Sequence, residues 1–482
     1  MKKITTLFCL VILGLATQVQ AQINMRGLFD LGFIYGDSTF SQQSTMDKFF
    51  AIERIRLQLE CIQSPDLYGV MRFEIGQIDF GKDSTGGALG ADRSIVEVTH
   101  AYVDWKVPNS DLRLRMGLQP IMLPGRVQTS SPVLIPGASD NSPAVLEVDA
   151  AGVSASLPLN EISTLTGFWM RAFNDNTESN YNDHADFFAL INANNLGDHK
   201  ITPWIMYGMI GQNSLNGKST TAETALAEYG LLPYWASLGA MSGLVKGSSD
   251  LGNAYWAGLS YEGIFDRLHI CFDANAGYVD FGSFQTGKGS LDLKRSGWYA
   301  GLMADYKFDL ATPGIVGWYA SGDDGDISNG SEMMPYVAPY WRGTPYSYGR
   351  NHFTYDGRVG YSPAGTWGLG LYIKDLPLGE LFEYTILRAV YLSGTNSPEM
   401  PDAAAFHGLP LTPAGIGLRY LTTEDRAVEL SLENQFHIYP NLLLYTGLSY
   451  IHMELSDDVW GQRTDDHKKD GFEVGFNFRY YF

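Results

Sequence analysis

The sequence predicts an all-β chain, a transmembrane antiparallel β-barrel of 16–18 strands with short turns on one side and long loops on the other. Three observations carry this. The chain opens on an export segment and has no later apolar run long enough to form a spanning helix. Segments of about ten residues then alternate apolar and polar side chains between turn signals. The final stretch, Asp470 to Phe482, places Val474, Phe476, Phe478, Tyr480 and Phe482 on one face, and Glu473, Asn477 and Arg479 on the other. A strand that closes a barrel in lipid has this pattern, with apolar side chains outward and polar ones toward the lumen.

At the start, Met1-Lys2-Lys3 precedes the apolar run Leu7 to Ala16, and Val19-Gln20-Ala21 supplies the small residues of a cleavage site. Residues 1–21 are therefore expected to be a cleaved signal peptide, and 22–482 a single barrel domain. The best later candidate for a membrane helix, Leu231 to Val245, is short and broken by Pro233 and Gly239. Aromatics make up 13% of the chain, with 28 Tyr and 53 Gly against 18% charged residues, a composition that suits aromatic girdles and many turns. A net charge of -20 argues against nucleic acid as a partner, because phosphate binding needs a basic face. Cys61 and Cys271 fall on strand faces that point to opposite sides of the wall, so no disulfide is expected between them.

Strands are expected at about 23–36, 49–63, 67–80, 94–107, 111–123, 150–159, 162–174, 185–196 and 199–210, with more after residue 253. Short turns such as Ser64-Pro65-Asp66 and Pro108-Asn109-Ser110 alternate with long connections at 81–93, 124–149, 211–252 and 322–364. That asymmetry distinguishes periplasmic turns from external loops. The boundary is least defined between Gly415 and Glu429, where Thr422 to Asp425 reads as a turn or a bulge.

The early strands show the alternation most clearly. Ile55, Leu57 and Leu59 alternate with Arg54 and Arg56, Met71 and Phe73 flank Arg72, and Leu112, Leu114 and Met116 alternate with Arg113 and Arg115. A charge facing lipid near the midplane costs about 2–4 kcal/mol, so the arginines are expected to project into the interior. A barrel this wide cannot be filled by wall side chains. The segment 124–149 holds Pro124, Pro132, Pro136 and Pro143, which prevent regular pairing, beside the apolar Val133, Leu134, Ile135, Val145 and Leu146. It is expected either to fold inward as a constriction, with Arg126, Asp140, Glu147 and Asp149 available to face the arginines, or to pack outside on its neighbours. A second constriction is open at 211–252, where Thr220-Thr221-Ala222-Glu223 has capping-box spacing.

Other motifs point away from chemistry. Asp323-Asp324-Gly325-Asp326 shares part of a calcium-loop pattern but lacks its spaced ligands, and reads as an external loop. There is no His-Glu-x-x-His, Gly-x-Ser-x-Gly or phosphate-binding Gly-Lys-Ser/Thr motif. Neither an enzymatic activity, nor a cofactor, nor a metal is read from the sequence. The acidic stretch 465–470 reads as an outside loop that meets lipopolysaccharide through divalent ions.

The runs Gly86 to Arg93, Val96-Glu97-Val98-Thr99-His100-Ala101-Tyr102-Val103-Asp104-Trp105 and Leu112 to Pro120 resemble the outer-membrane homotrimeric porins of sulfate-reducing bacteria. More distantly, the chain resembles the general diffusion porins. The specific likeness spans roughly residues 67–175. It implies passive diffusion of small hydrophilic solutes through a water-filled trimeric channel in a Gram-negative outer membrane. It further implies a basic wall of Arg54, Arg56, Arg72, Arg113 and Arg115, a constriction loop at 124–149, and a terminal signal of Phe476, Phe478, Tyr480 and Phe482 read by the barrel-assembly machinery. The Pro-Glu-Phe-Gly-Gly-Asp loop motif of many general porins is absent. A substrate-selective channel for anions, phosphate or sugar, and a structural or adhesive surface barrel, remain alternatives.

Overall fold

The computed structural model describes residues 22–36, 49–89, 96–129, 141–174, 181–215, 230–241, 247–348, 359–376, 378–379, 382–409, 411, 420–461 and 470–482. Residues 1–21, Asp140, the Thr220 to Glu223 segment and residues 465–469 lie outside that set. The chain forms one closed antiparallel sheet of 18 strands. They run from β1 (Gln22–Gly36), β2 (Phe49–Ser64), β3 (Leu67–Asp79), β4 (Val96–Lys106), β5 (Arg113–Met122), β6 (Glu147–Pro158), β7 (Ser163–Asn174), β8 (His184–Asn195) and β9 (His199–Gly211). They continue through β10 (Leu251–Phe265), β11 (Leu268–Thr286), β12 (Gly289–Tyr306), β13 (Thr312–Ala320), β14 (Thr366–Lys374), β15 (Phe382–Gly394), β16 (Arg426–Tyr439), β17 (Leu442–Glu454) and β18 (Gly471–Tyr481). The barrel expected from the sequence is borne out, and the count resolves to the upper value. Thr422 to Asp425 is a turn preceding β16.

Alternation sets the faces. On β18, Phe472, Phe476 and Tyr480 are exposed, while Glu473, Asn477 and Arg479 are buried in the interior. Leu369, Leu371, Leu387, Leu430 and Leu448 are likewise exposed on their strands. An apolar band of this extent is far larger than soluble surfaces carry, and it is what a lipid-facing wall requires. Outward aromatics stand in register across neighbouring strands, as in Phe188↔Tyr207↔Tyr255↔Tyr278, with the Tyr207 and Tyr255 rings 5.2 Å apart. Among the described residues no helix is long and apolar enough to cross a membrane. Three short turns carry Asn109, Asp266 and Asp375 at φ of 59°, 56° and 60°, the left-handed conformation that Asn and Asp tolerate best after Gly.

Closure is made by β18 on β1, with Glu473 opposite Gly36 and Tyr481 opposite Leu28. Gly27 and Phe482 exchange backbone hydrogen bonds, Gly27 N donating to Phe482 O at 2.9 Å and Phe482 N to Gly27 O at 3.1 Å. The Phe482 ring lies 5.7 Å from that of Phe29. Inside the seam, Arg479 and Asp30 are directly opposed and form a buried bidentate pair, Nε to Oδ1 at 2.5 Å and Nη2 to Oδ2 at 2.9 Å. An Arg479→Met variant removes the bidentate partner of Asp30 and leaves Arg54, opposite Asp30 on β2, as the neighbouring cation. It is expected to lower barrel stability by about 1–3 kcal/mol, read as an earlier urea midpoint for loss of the compact gel-mobility form.

Candidate functional site

The bore is shaped by a hairpin that leaves the wall. β5 and β6 pair with each other from Arg113↔Ser156 up to Met122↔Glu147. Pairing of β5 with β4 nevertheless ends at Ala101↔Leu118, and pairing of β6 with β7 ends at Gly152↔Met170. Meanwhile β4 continues to pair with β3 as far as Val96↔Ile75, and β7 with β8 as far as Asn174↔His184. The top of the hairpin therefore detaches from both neighbours. The bend lies at Gly117 and Gly152, which oppose each other. Gly117 has φ +126°, and a Cβ there would lie 2.3 Å from the Ala101 carbonyl oxygen, so only glycine fits.

The loop that follows crosses the barrel. Asp273 of β11 accepts hydrogen bonds from the Arg126 and Val127 backbone N–H groups at 2.7 and 2.8 Å. Arg388 of β15 donates from Nε to the Thr129 carbonyl at 2.8 Å and from Nη2 to Glu433 at 2.6 Å. A second inward segment, 321–348, meets it: Gln128 bridges Arg342, Leu146 bridges Ala338, and the Ser142 hydroxyl oxygen accepts from Arg342 N at 2.6 Å. Arg295, fully buried on β12, donates to the carbonyls of Met333, Leu232 and Met334 at 3.1, 3.1 and 2.9 Å. Glu429 of β16 accepts from the Ser347 N–H at 2.8 Å and from the Thr344 and Ser347 hydroxyls at 2.8 and 2.6 Å. Helix α1 (Tyr234–Met241) packs Tyr234, Trp235 and Ala236 into the same apolar mass as Leu146, Met334 and Trp341.

Three interior glutamates are withdrawn from the open lumen: Glu429 is 0% exposed, Glu433 is bonded to Arg388, and Glu473 is buried. The aspartates of the 323–326 run are used in folding their own loop. Asp323 accepts from Ser331 Oγ, Glu332 N and Tyr420 Oη, and its burial pushes the carboxyl above the usual range. Asp326 is held low by the N–H and hydroxyl of Ser328, which it caps.

The basic side chains stand on the interior faces of β2, β3 and β5. Arg54 and Arg56 share Glu74, at 3.0 and 2.6 Å. Arg72 donates to Gln58 Oε1 from Nε at 3.0 Å and from Nη2 at 2.8 Å. Arg113 and Arg115 share Asp104, Arg115 at 3.0 Å, with the Arg115 guanidinium 4.6 Å from the Tyr102 ring centre. Arg113 and Arg115 keep 35% and 32% side-chain exposure while Asp104 keeps 1%, so the interior presents the guanidiniums and not the carboxylate. Among the described residues the carboxylates bonded to Arg54, Arg56, Arg113 and Arg115 stand on neighbouring wall strands, and Asp149 acts on Arg72 through space. Glu147 and Asp149 belong to β6, where Asp149 lies 3.0 Å from His100 Nε2 on β4. Arg126 points to the far wall, 3.7 Å from Glu262. Strand alternation could have identified Glu74 and Asp104, which share faces with Arg72 and Tyr102; no local signal marks Asp273, Arg295 or Arg388 as loop anchors.

Neither a family model nor a curated protein matches the sequence. Solved structures do match the fold. The crystal structure of Pseudomonas aeruginosa OpdK with vanillate superposes with a TM-score of 0.52 at 10% identity, covering 96% of this chain and 98% of that one. Pseudomonas aeruginosa OprD, an outer membrane protein, gives 0.50 at 12% identity over 96% of this chain and 95% of its own. OccK2 (OpdF) of the same organism, in complex with glucuronate, gives 0.50 at 11% identity over 95% and 98%. What is shared is the fold.

The crossing loop is held by few wall groups. Asp273→Ala removes the acceptor of two loop N–H groups, and is expected to raise mean single-channel conductance and broaden its distribution in planar bilayers. Conductance identical to that of the parent protein would show that the loop is positioned without it.

Proposed function

We propose that this chain is an outer-membrane channel through which small hydrophilic solutes and ions diffuse passively, reached after export by a cleaved signal peptide. The observation that carries the reading is the crossing loop. A segment leaving β5 and bonded to β11 and β15 spans the bore, while the guanidiniums of β2, β3 and β5 keep exposure to the interior. Such an arrangement narrows an aqueous path and lines it with fixed charge, in a low-dielectric rim that strengthens the field.

The sign of that field follows from the pairing. Arg113 and Arg115 share the one buried carboxylate of Asp104, so that part of the wall presents an excess of positive charge to the interior. A ring of net positive charge favours anions, and the pairing keeps the preference modest. The anion-selective variant of the channel reading is favoured over the sugar or adhesive readings on this ground. OpdK and OccK2 were crystallised with vanillate and glucuronate, both carboxylates. Three further elements of the proposal come from the resemblance to homotrimeric porins: assembly as a homotrimer, contact with lipopolysaccharide, and reading of Phe476, Phe478, Tyr480 and Phe482 by the barrel-assembly machinery.

Removing Arg113 and Arg115 together by alanine substitution exposes Asp104 and is expected to shift the reversal potential in a salt gradient toward cation preference. An unchanged reversal potential would exclude these residues from selectivity, and absence of single-channel steps in the parent protein would exclude the channel. Deleting Phe482 is expected to lower the yield of assembled barrel several-fold while leaving the conductance of assembled molecules unchanged; unheated gel electrophoresis reports both the yield and the oligomer.

A further inference from the structure

On the wall opposite the arginines, three ligand-type side chains converge on the interior face of β10 and β11. Glu262 and Cys271 are directly opposed in register, and His269 lies two residues before Cys271 on the same face. His269 Nε2 is 3.4 Å from Cys271 Sγ and 3.5 Å from Glu262 Oε1. All three donor atoms lie within 4.8 Å of one another. The other ring nitrogen, Nδ1, is 3.4 Å from Asp305 Oδ2 on β12. That carboxylate oxygen is itself fixed by Tyr372 Oη at 2.8 Å and Lys374 Nζ at 3.0 Å.

From these distances we propose that Glu262, His269 and Cys271 form a three-ligand site for a zinc-type divalent metal ion, with the fourth position open to the lumen. Zinc bonds of about 2.0–2.3 Å at tetrahedral angles place neighbouring ligand atoms about 3.4–3.6 Å apart. Two of the three edges already have that length. The third, between Glu262 and Cys271, is no longer than 4.8 Å. Asp305 supplies the outer carboxylate of a carboxylate–histidine–metal arrangement: with Nδ1–H donating to it, the Nε2 lone pair faces the thiol and the glutamate. Glu262 divides its oxygens in the same sense, Oε2 toward Lys200 at 3.1 Å and Arg126 at 3.7 Å, and Oε1 toward the histidine.

Sulfur, imidazole and carboxylate together suit a borderline-soft ion and not calcium or magnesium, which prefer oxygen ligands. Binding replaces the thiol proton: a metal–sulfur bond forms and the proton leaves to solvent. A cavity of about 340 Å³ opens beside the three groups, bounded by Arg126 and Gln128 of the crossing loop and by Tyr372 and Tyr384 of the wall. A water, or a solute carboxylate or imidazole, can therefore take the fourth position. The rival account is a plain ion cluster in which His269 is a cation between Glu262 and Asp305. It gives the sulfur no role, and that difference makes the two separable. The site does not depend on the channel reading.

The test uses the full chain refolded in detergent, with the compact gel-mobility form as the check on folding. Added Co²⁺ is expected to produce a sulfur-to-cobalt charge-transfer band and the intense visible bands of four-coordinate cobalt, and Zn²⁺ to abolish them. Competition with a chromogenic chelator reads the Zn²⁺ affinity. Cys271→Ser and His269→Gln are each expected to weaken Zn²⁺ binding by at least about tenfold, and Asp305→Asn by about tenfold, in line with the effect of outer-shell partners. Cys61→Ser, whose side chain shares the outward face of β2, is expected to bind as the parent does. A folded parent protein that gives no sulfur-to-cobalt band overturns the proposal without recourse to any variant. Equal Zn²⁺ affinity in Cys271→Ser and the parent also overturns it.

Discussion

Everything in this structure depends on closing the sheet. In hydrocarbon no water can satisfy a backbone N–H or C=O, so a β wall has to pair its last strand with its first. The chain does so through β18 on β1, from Glu473 opposite Gly36 to Tyr481 opposite Leu28. The Arg479 and Asp30 pair sits on the interior side of that seam, where two charges can meet without facing lipid. Closure at 18 strands in turn imposes a bore too wide for wall side chains to fill. The loops have to do the filling.

Filling by loops brings polar backbone into the interior, and the wall answers with buried charged residues. Asp273 takes two loop N–H groups, Arg295 three loop carbonyls, Arg388 one carbonyl, and Glu429 a cluster of N–H and hydroxyl donors. Buried charges of this kind are tolerable because their hydrogen bonds are made, and removal of one partner leaves the other exposed to a large desolvation cost. The result is an asymmetric interior. The half facing β7 to β16 is packed against inward segments, and the stretch along β2 to β5 keeps its arginines accessible. Where the interior stays open and where its charge lies both follow from that asymmetry.

The metal-type cluster belongs to the same logic. Strand register across β9, β10, β11 and β12 aligns Lys200, Glu262, Cys271 and Met303 in one row, with His269 and Asp305 opposed in the adjacent row. Inward-facing polar groups on adjacent strands lie within reach of one another, so a rigid wall holds the three donor atoms without any dedicated loop.

How much of this was legible in the sequence can be judged residue by residue. The period-2 alternation of Arg54, Arg56, Arg72, Arg113 and Arg115 against their apolar neighbours determined which face each arginine takes, because lipid excludes charge. The same alternation in Val474 to Phe482 determined the seam strand, and the proline-rich stretch after Met122 marked the segment that could not remain in the wall. Those are local constraints, each decided within a few residues. What only the tertiary structure decided is who meets whom across the bore. Asp104 and Glu74, on neighbouring wall strands, are the carboxylates bonded to four of the arginines. Asp273 and Arg388, more than a hundred residues from the loop they hold, fix its path. Glu262 meets His269 and Cys271 only because β10 and β11 pair in one register. Periodicity fixes a side chain's face, but its partner is set by strand register and by where Gly117 and Gly152 let the hairpin leave the wall, and both are properties of the closed sheet.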